Sequence, residues 1–256
     1  MVLEKGDFVK INYTGRIKDG EVFDTTIEEV AKKHGIYDPR VRFKAQAIVI
    51  GAGHVIPGLD EALVGMEVGE KRVIEIPPEK GFGLRDPSKV KVVPLREFKK
   101  QGLKPYPGMR IEAEGKVGRV QSVSGGRVLV DFNSELAGKT LVYEVNVEEK
   151  INKLEEKIRL LLERHFPYAD PNEHEIRCED GRAIITLSDA VKLRSDAFIA
   201  KHMVAKEIFE YLEGINEVEF QEIFKKPEEK KEEKVEEKKK EKKKAKPKRR
   251  RRKKSS

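Results

Sequence analysis

Hydrophobic and polar positions alternate with a period of two through the first part of the chain. Val9, Ile11 and Tyr13 share one face of an extended segment, and the Asp-Gly pair in Lys18-Asp19-Gly20-Glu21 predicts a type I′ hairpin returning through Val22-Phe23-Asp24. Ile27 to His34 reads as a helix closed by Gly35. After the Asp38-Pro39 turn, Ala47-Ile48-Val49-Ile50-Gly51 reads as a strand. Pro57-Gly58 opens a short helix over Leu59 to Val64, ended by Gly65. Arg72 to Ile76 alternates again until Pro77-Pro78, neither of which can donate to a sheet ladder.

The texture changes near Leu84. An extended segment at Val90 to Val93 and a turn at Pro105-Tyr106-Pro107-Gly108 precede strands over Met109 to Ala113 and Val117 to Val123. The turn Ser124-Gly125-Gly126-Arg127 then leads into Val128 to Phe132, which completes a small β unit. In the next strand, Thr140 to Val147, Leu141, Tyr143 and Val145 face one side while Val142 and Glu144 face the other.

A helical period follows. Val147, Ile151, Leu154, Ile158, Leu161 and His165 recur at spacings of three and four, a stripe that predicts one amphipathic helix ended by Pro167 and Pro171. Glu175 to Cys178 and Arg182 to Leu187 flank Glu179-Asp180-Gly181 as a hairpin. Ser195 reads as the N-cap of a helix from Asp196 to Glu213, stopped by Gly214, and Val218 to Phe224 as an edge strand. The order α-β-β-α-β predicts a small α+β domain.

Charge is unevenly distributed. Residues 225–256 hold 19 Lys or Arg against 7 Glu, a balance of +12, so residues 1–224 carry −4 of the chain's +8. The basic character therefore belongs to the tail, which has no apolar face to order it and is expected to be disordered. Among 256 residues there is one cysteine, Cys178, so no intramolecular disulfide forms and a reducing, cytoplasmic compartment is expected. No apolar run approaches the roughly 18 to 20 residues of a membrane span, and the first residues lack the pattern of a secretory signal. His165, His174 and Cys178 lack zinc-like spacing, so no metal is expected.

Five separated segments carry the functional signal: Val9-Lys10-Ile11-Asn12-Tyr13-Thr14-Gly15, Gly20-Glu21-Val22-Phe23-Asp24-Thr25, Gly53-His54-Val55-Ile56-Pro57-Gly58-Leu59-Asp60-Glu61-Ala62-Leu63, Ile76-Pro77-Pro78-Glu79-Lys80-Gly81-Phe82-Gly83 and Leu136-Ala137-Gly138-Lys139-Thr140-Leu141-Val142-Tyr143. In this order they resemble the FKBP-type peptidyl-prolyl cis-trans isomerases, and within them the SlyD-like branch, which carries a β-rich insert-in-flap domain between the Pro-Pro-Glu-Lys and Leu-Ala-Gly segments. The extra C-terminal domain is similar to that of the long archaeal members. The resemblance implies an α+β chain. An antiparallel sheet half-wrapped on a short helix (1–84 plus 131–150) would carry an inserted small β domain (85–130), a C-terminal α+β domain (151–224) and the basic tail (225–256).

The same resemblance assigns Tyr13, Phe23, Asp24, Val55, Ile56, Leu59, Phe82 and Tyr143 to a proline pocket. Phe23 and Tyr143 would be its walls and Leu59 its floor, with the Ile56 N–H as donor to a substrate carbonyl and Asp24 as a hydrogen-bonding carboxylate beside Tyr13. Taken singly, Tyr13, Phe23 and Tyr143 read as sheet-core residues and Asp24 as a turn residue; only the order of motifs gives them a site. His54 is expected to present its backbone rather than its ring. Many family members have Trp at the position of Leu59 and Tyr at that of Phe82, so macrolide affinity and intrinsic activity stay open. No family aromatic is assigned to Phe43, and no partner of Asp24 to Arg40 or Arg42. No cofactor is implied, because rotation about the X-Pro bond makes and breaks no covalent bond.

In relatives of this kind the insert grips unfolded chains. Val92, Val93, Leu95, Phe98, Leu103, Tyr106 and Met109 are the apolar candidates for such a strip, with burial in a small core as the competing use. The expected partners are unfolded or nascent polypeptides containing proline, with ribosome or nucleic-acid contact through Lys246 to Lys254, where eight of nine residues are basic. No membrane partner is expected. A holdase chaperone with weak isomerase activity is the alternative function.

Overall fold

A computed structural model describes residues 1–113, 115–224 and 226. Apart from Lys226, the expected disordered tail therefore lies outside the described residues. The alternating segments at the start become β1 (Phe8–Ile17), β2 (Val22–Thr25), α1 (Glu28–Lys33), β3 (Gln46–Val49), α2 (Pro57–Leu63) and β4 (Lys71–Ile76). The insert supplies β5 (Val90–Pro94), α3 (Leu95–Lys100), β6 (Arg110–Ala113), β7 (Lys116–Ser124) and β8 (Arg127–Asp131). β9 (Leu141–Ile151) returns to the first sheet. The C-terminal lobe holds α4 (Leu154–His165), β10 (Glu175–Glu179), β11 (Arg182–Thr186), α5 (Asp189–Lys192), α6 (Ala197–Tyr211) and β12 (Glu217–Gln221).

β1 organises the first sheet. Along one edge its N-terminal half pairs with β3 and its C-terminal half with β2, while its whole length pairs with β9, which pairs in turn with β4; every pairing is antiparallel. The alternation of β9 buries Leu141, Tyr143, Val145 and Val147 in one core with Val9, Ile11 and the α2 residues Leu59 and Leu63. Burying roughly a dozen such side chains holds α2 on the sheet, at about 1.5–3 kcal/mol each before entropy is counted. Contact is close enough that Gly58 is required. A Cβ there would lie 2.5 Å from Ile76 Cγ2.

Two expected details change. Asp19 has a positive φ of 58° but Gly20 does not, so the first turn is not type I′. The helix predicted from Val147 starts only at Leu154. Val147 and Ile151 instead lie in β9 opposite Ile11 and Phe8, where pairing with β1 outweighs the helical spacing.

The insert is a four-stranded antiparallel sheet in the order β5-β8-β7-β6, packed around Phe98, Val120, Val128 and Val130. Its helix α3 interrupts a stretch whose pattern predicts only strands and turns. Phe98 is therefore core rather than exposed strip, and Val93, Leu95 and Met109 pack against that core. Leu103 is 36% exposed, whereas Val92 and Tyr106 stand about 60% exposed and Val117 joins them.

In the C-terminal lobe β11 lies between β10 (antiparallel) and β12 (parallel). Asp196, not Ser195, is the N-cap of the long helix, which ends at Tyr211. One continuous core joins α4 (Ile158, Leu161), β11 (Ile185) and α6 (Val204, Ile208) to Phe8 of β1, Val49 of β3 and Ile151 of β9. The lobe is fused to the back of the first sheet rather than strung beside it.

Candidate active site

Three strands, one turn and the start of α2 converge on one concavity. β1 and β9 run side by side with Tyr13 opposite Val145 and Gly15 opposite Tyr143, which sets the Tyr13 and Tyr143 rings 5.6 Å apart. β2 brings Phe23 edge-on to Tyr143 at 5.9 Å, and Phe82, from the turn after Pro77-Pro78, edge-on to Phe23 at 6.2 Å. Gly15 lets these rings approach the strand, because a Cβ there would come within 3.0 Å of both Phe23 and Tyr143. Leu59, 1% exposed at the start of α2, closes the bottom.

The resulting cavity has a volume of about 320 Å³ and is lined by Tyr13, Asp24, Val55, Ile56, Leu59, Phe82 and Tyr143, with Gln46 and His54 added. Of the eight sequence-predicted residues, seven line it directly; Phe23 stands behind as the aromatic that touches both Tyr143 and Phe82. Phe43, left without a role by the sequence, stacks on Tyr37 at 5.5 Å, and Arg40 pairs with Asp38 rather than Asp24.

The Tyr13 hydroxyl donates to Asp24 Oδ2 at 2.9 Å. Burial, and then the Asp24 carboxylate, push the Tyr13 phenol well above the usual tyrosine range, and the same two causes in the same order raise Tyr143. Both rings therefore stay neutral donors. The loop 50–56 is fixed from α2, where the Asp60 carboxylate accepts the Gly51 N–H at 2.8 Å and the Gly53 N–H at 3.1 Å. Ile56, extended at φ −60° and ψ 146°, is the N-cap of α2, and its N–H has no acceptor among the described residues. A largely apolar pocket thus carries the unpaired Ile56 N–H and two neutral phenols.

Gln46 lines the cavity although nothing in its sequence context marks it. The His54 side chain is only 3% exposed and turns inward, its Nδ1 accepting the Val49 N–H at 3.1 Å, so its ring is not what His54 presents to solvent. The proton of a neutral ring then sits on Nε2, which faces Glu207 Oε2 of α6 at 3.5 Å. Glu207 Oε1 lies 3.0 Å from His165 Nε2 of α4. Burial opposes ionisation of Glu207, but the two imidazoles outweigh it and hold the carboxyl down at about 2. The pair His54–Glu207 spans about 150 positions of sequence, and no local pattern announces it.

The three residues tested by spacing for a metal part company. His165 bonds Glu207, the buried His174 accepts the Ser188 N–H at Nδ1, and Cys178 lies in β10. No cluster of His, Cys, Asp or Glu suited to a metal occurs among the described residues, and no helix there is long and apolar enough to cross a membrane.

The chain is 42% identical over 148 residues to the short-type peptidyl-prolyl cis-trans isomerase of Methanocaldococcus jannaschii, covering 58% of this chain and 94% of the relative. This chain belongs to the FKBP-type peptidyl-prolyl cis-trans isomerases. A probable FKBP-type 16 kDa member from Pseudomonas fluorescens is 28% identical over 144 residues, 54% of this chain and 85% of the relative. FK506-binding protein 1A of Aspergillus fumigatus is 43% identical over 82 residues, 32% of this chain and 62% of the relative. Outside the FKBP portion, the family described as FKBP26, IF domain matches residues 91–136, and FKBP26_C-terminal matches 154–225. The insert and the C-terminal lobe are thus those of an FKBP subgroup.

Proposed function

We propose that the chain catalyses cis–trans rotation about X-Pro bonds in folding polypeptides, with the 85–130 insert holding the client while the proline pocket acts on it. The barrier to that rotation is roughly 18–20 kcal/mol because amide resonance must be broken. Rotation weakens the amide dipole, so an apolar cavity binds the twisted bond better than the planar one. On this reading a proline ring sits between Tyr143 and Leu59, with the free Ile56 N–H as donor to a client carbonyl. About 8 kcal/mol of such differential binding gives a millionfold acceleration. No proton need move, so Asp24 serves to orient Tyr13 rather than as an acid or base.

The observation that carries this reading is the gathering of Tyr13, Asp24, Val55, Ile56, Leu59, Phe82 and Tyr143 on one cavity, with Phe23 packed behind them. Its test is the refolding of a proline-limited protein. Catalytic amounts of the chain should speed the slow phase, and Tyr143→Ala or Asp24→Ala should remove most of the gain while aggregation suppression persists. If only stoichiometric amounts help and deletion of 85–130 abolishes the effect, the chain is a holdase instead.

The exposed Val92, Tyr106 and Val117 of the insert favour client capture as a companion activity. The clients are proline-containing unfolded or nascent chains in the cytoplasm. The basic tail adds salt-sensitive contact with ribosomal or other nucleic acid, measured as RNA affinity lost when 225–256 is removed.

A further inference from the structure

The proline cavity does not end at Tyr13 and Asp24. On the far side of these residues and Gln46 a second cavity of about 330 Å³ opens, and its remaining walls come from Thr25 and Thr26, from the 41–47 segment and from Leu160, Glu163 and Arg164 of α4. It exists only because the C-terminal lobe is fused against the sheet. Its charged groups are Arg42, Lys44 and Arg164 against Asp24 and Glu163, with Asp170 close by, its carboxyl held below the ordinary range first by the Asn172 hydrogen bonds and then by Arg42 and Lys44.

The pairings leave a clear remainder. Glu163 is bound by Lys44, Asp24 takes the Tyr13 hydroxyl, and Asp170 takes the Asn172 N–H. Arg42 and Arg164 make no hydrogen bond or close ion pair among the described residues. Two guanidiniums from two different domains thus face one space without a carboxylate of their own, and the guanidinium fork is the side chain best shaped to take a carboxylate in two parallel bonds.

Building on the isomerase reading, we propose that this second cavity is a client subsite for an acidic side chain, Asp or Glu, near the isomerised proline. Arg42 and Arg164 are its specificity-determining residues. Because the cavities abut, a residue one to three positions from the proline reaches it, at about 3.5 Å of chain per residue. The preference arises from the lobe packed behind the sheet, so it belongs to the long chain and not to the isomerase fold as such. Partly exposed guanidiniums limit its size to about fivefold, the upper end for an ion pair in contact with water, and salt reduces it.

The test is a set of single-proline peptides with Glu, Gln or Lys at each of the three positions on either side of the proline, measured by NMR exchange with the full chain. At one position kcat/KM for the Glu peptide should exceed that for Gln by about fivefold at low ionic strength and exceed that for Lys by more. The Glu:Gln ratio should fall to one in about 1 M salt and in the double variant R42Q/R164Q, whereas Arg177→Gln, on β10, should leave it unchanged. Equal rates for Glu and Gln at every position, or a ratio that survives in R42Q/R164Q, would overturn the subsite while leaving the isomerase intact. If the wild-type chain accelerates none of the peptides, the isomerase reading fails and the subsite falls with it.

Discussion

Replacing Glu207 by Gln removes one charge and keeps the shape of the side chain. In the folded chain that carboxyl is held at about 2, against an ordinary 4.5, because two imidazoles face it in a site where Glu207 is only 9% exposed. Such a displacement corresponds to about 3 kcal/mol of stability. This is an upper figure, since His54 contributes through a 3.5 Å contact while His165 approaches to 3.0 Å. The sign is fixed by the direction. A carboxyl depressed in the folded state stabilises above its unfolded value and loses that contribution as pH falls from about 4.5 to about 2. E207Q should therefore unfold in urea with a free energy lower by about 2–3 kcal/mol at pH 7, and the gap between wild type and variant should close as pH approaches 2. A gap below about 0.5 kcal/mol at pH 7, or one that stays constant down to pH 2.5, would refute the reasoning.

Other outcomes follow from the pocket. Tyr143→Ala removes one wall and should lower kcat/KM on a proline peptide about 10- to 100-fold, a loss of about 1.4–2.7 kcal/mol, with the fold retained by circular dichroism. Gly58→Ala would press a methyl to within 2.5 Å of Ile76 Cγ2 and should cost about 1–3 kcal/mol in urea unfolding. Because Tyr13 and Tyr143 are both raised, the isomerase rate should stay level through about pH 10, where ordinary tyrosines ionise, and four of the six tyrosines, these two together with Tyr168 and Tyr211, should titrate late at 295 nm in the folded chain.

What the sequence made legible was the pocket itself. Each contributing stretch carries its residues at short range, so the resemblance borne by five ordered segments points to Tyr13, Val55, Leu59 and Tyr143, which line the cavity, and to Phe23 behind them. The rest depends on distance. The helical stripe swallowed Val147 and Ile151 because period alone does not reveal that β1 waits to pair with them. α3 is only six residues long, too short for its period to stand out between strands. Arg42, Arg164, His54 and Glu207 look like ordinary polar residues where they stand. Their meaning comes from a lobe whose own sequence gives no hint that it folds onto the first sheet.

The two additions to the FKBP unit are joined to it in opposite ways. The insert leaves and rejoins through neighbouring strands, with Val90 directly across from Asp131, and closes around its own small centre. It could be lifted out and the gap bridged by a short connector, as a tool head is changed on a handle. A cut after Ile151 has no such clean edge: it would strip the cover from Phe8 and Val49 and leave a sticky wound on the back of the enzyme. Taking away the first part leaves the isomerase core closed, whereas taking away the second opens it to water.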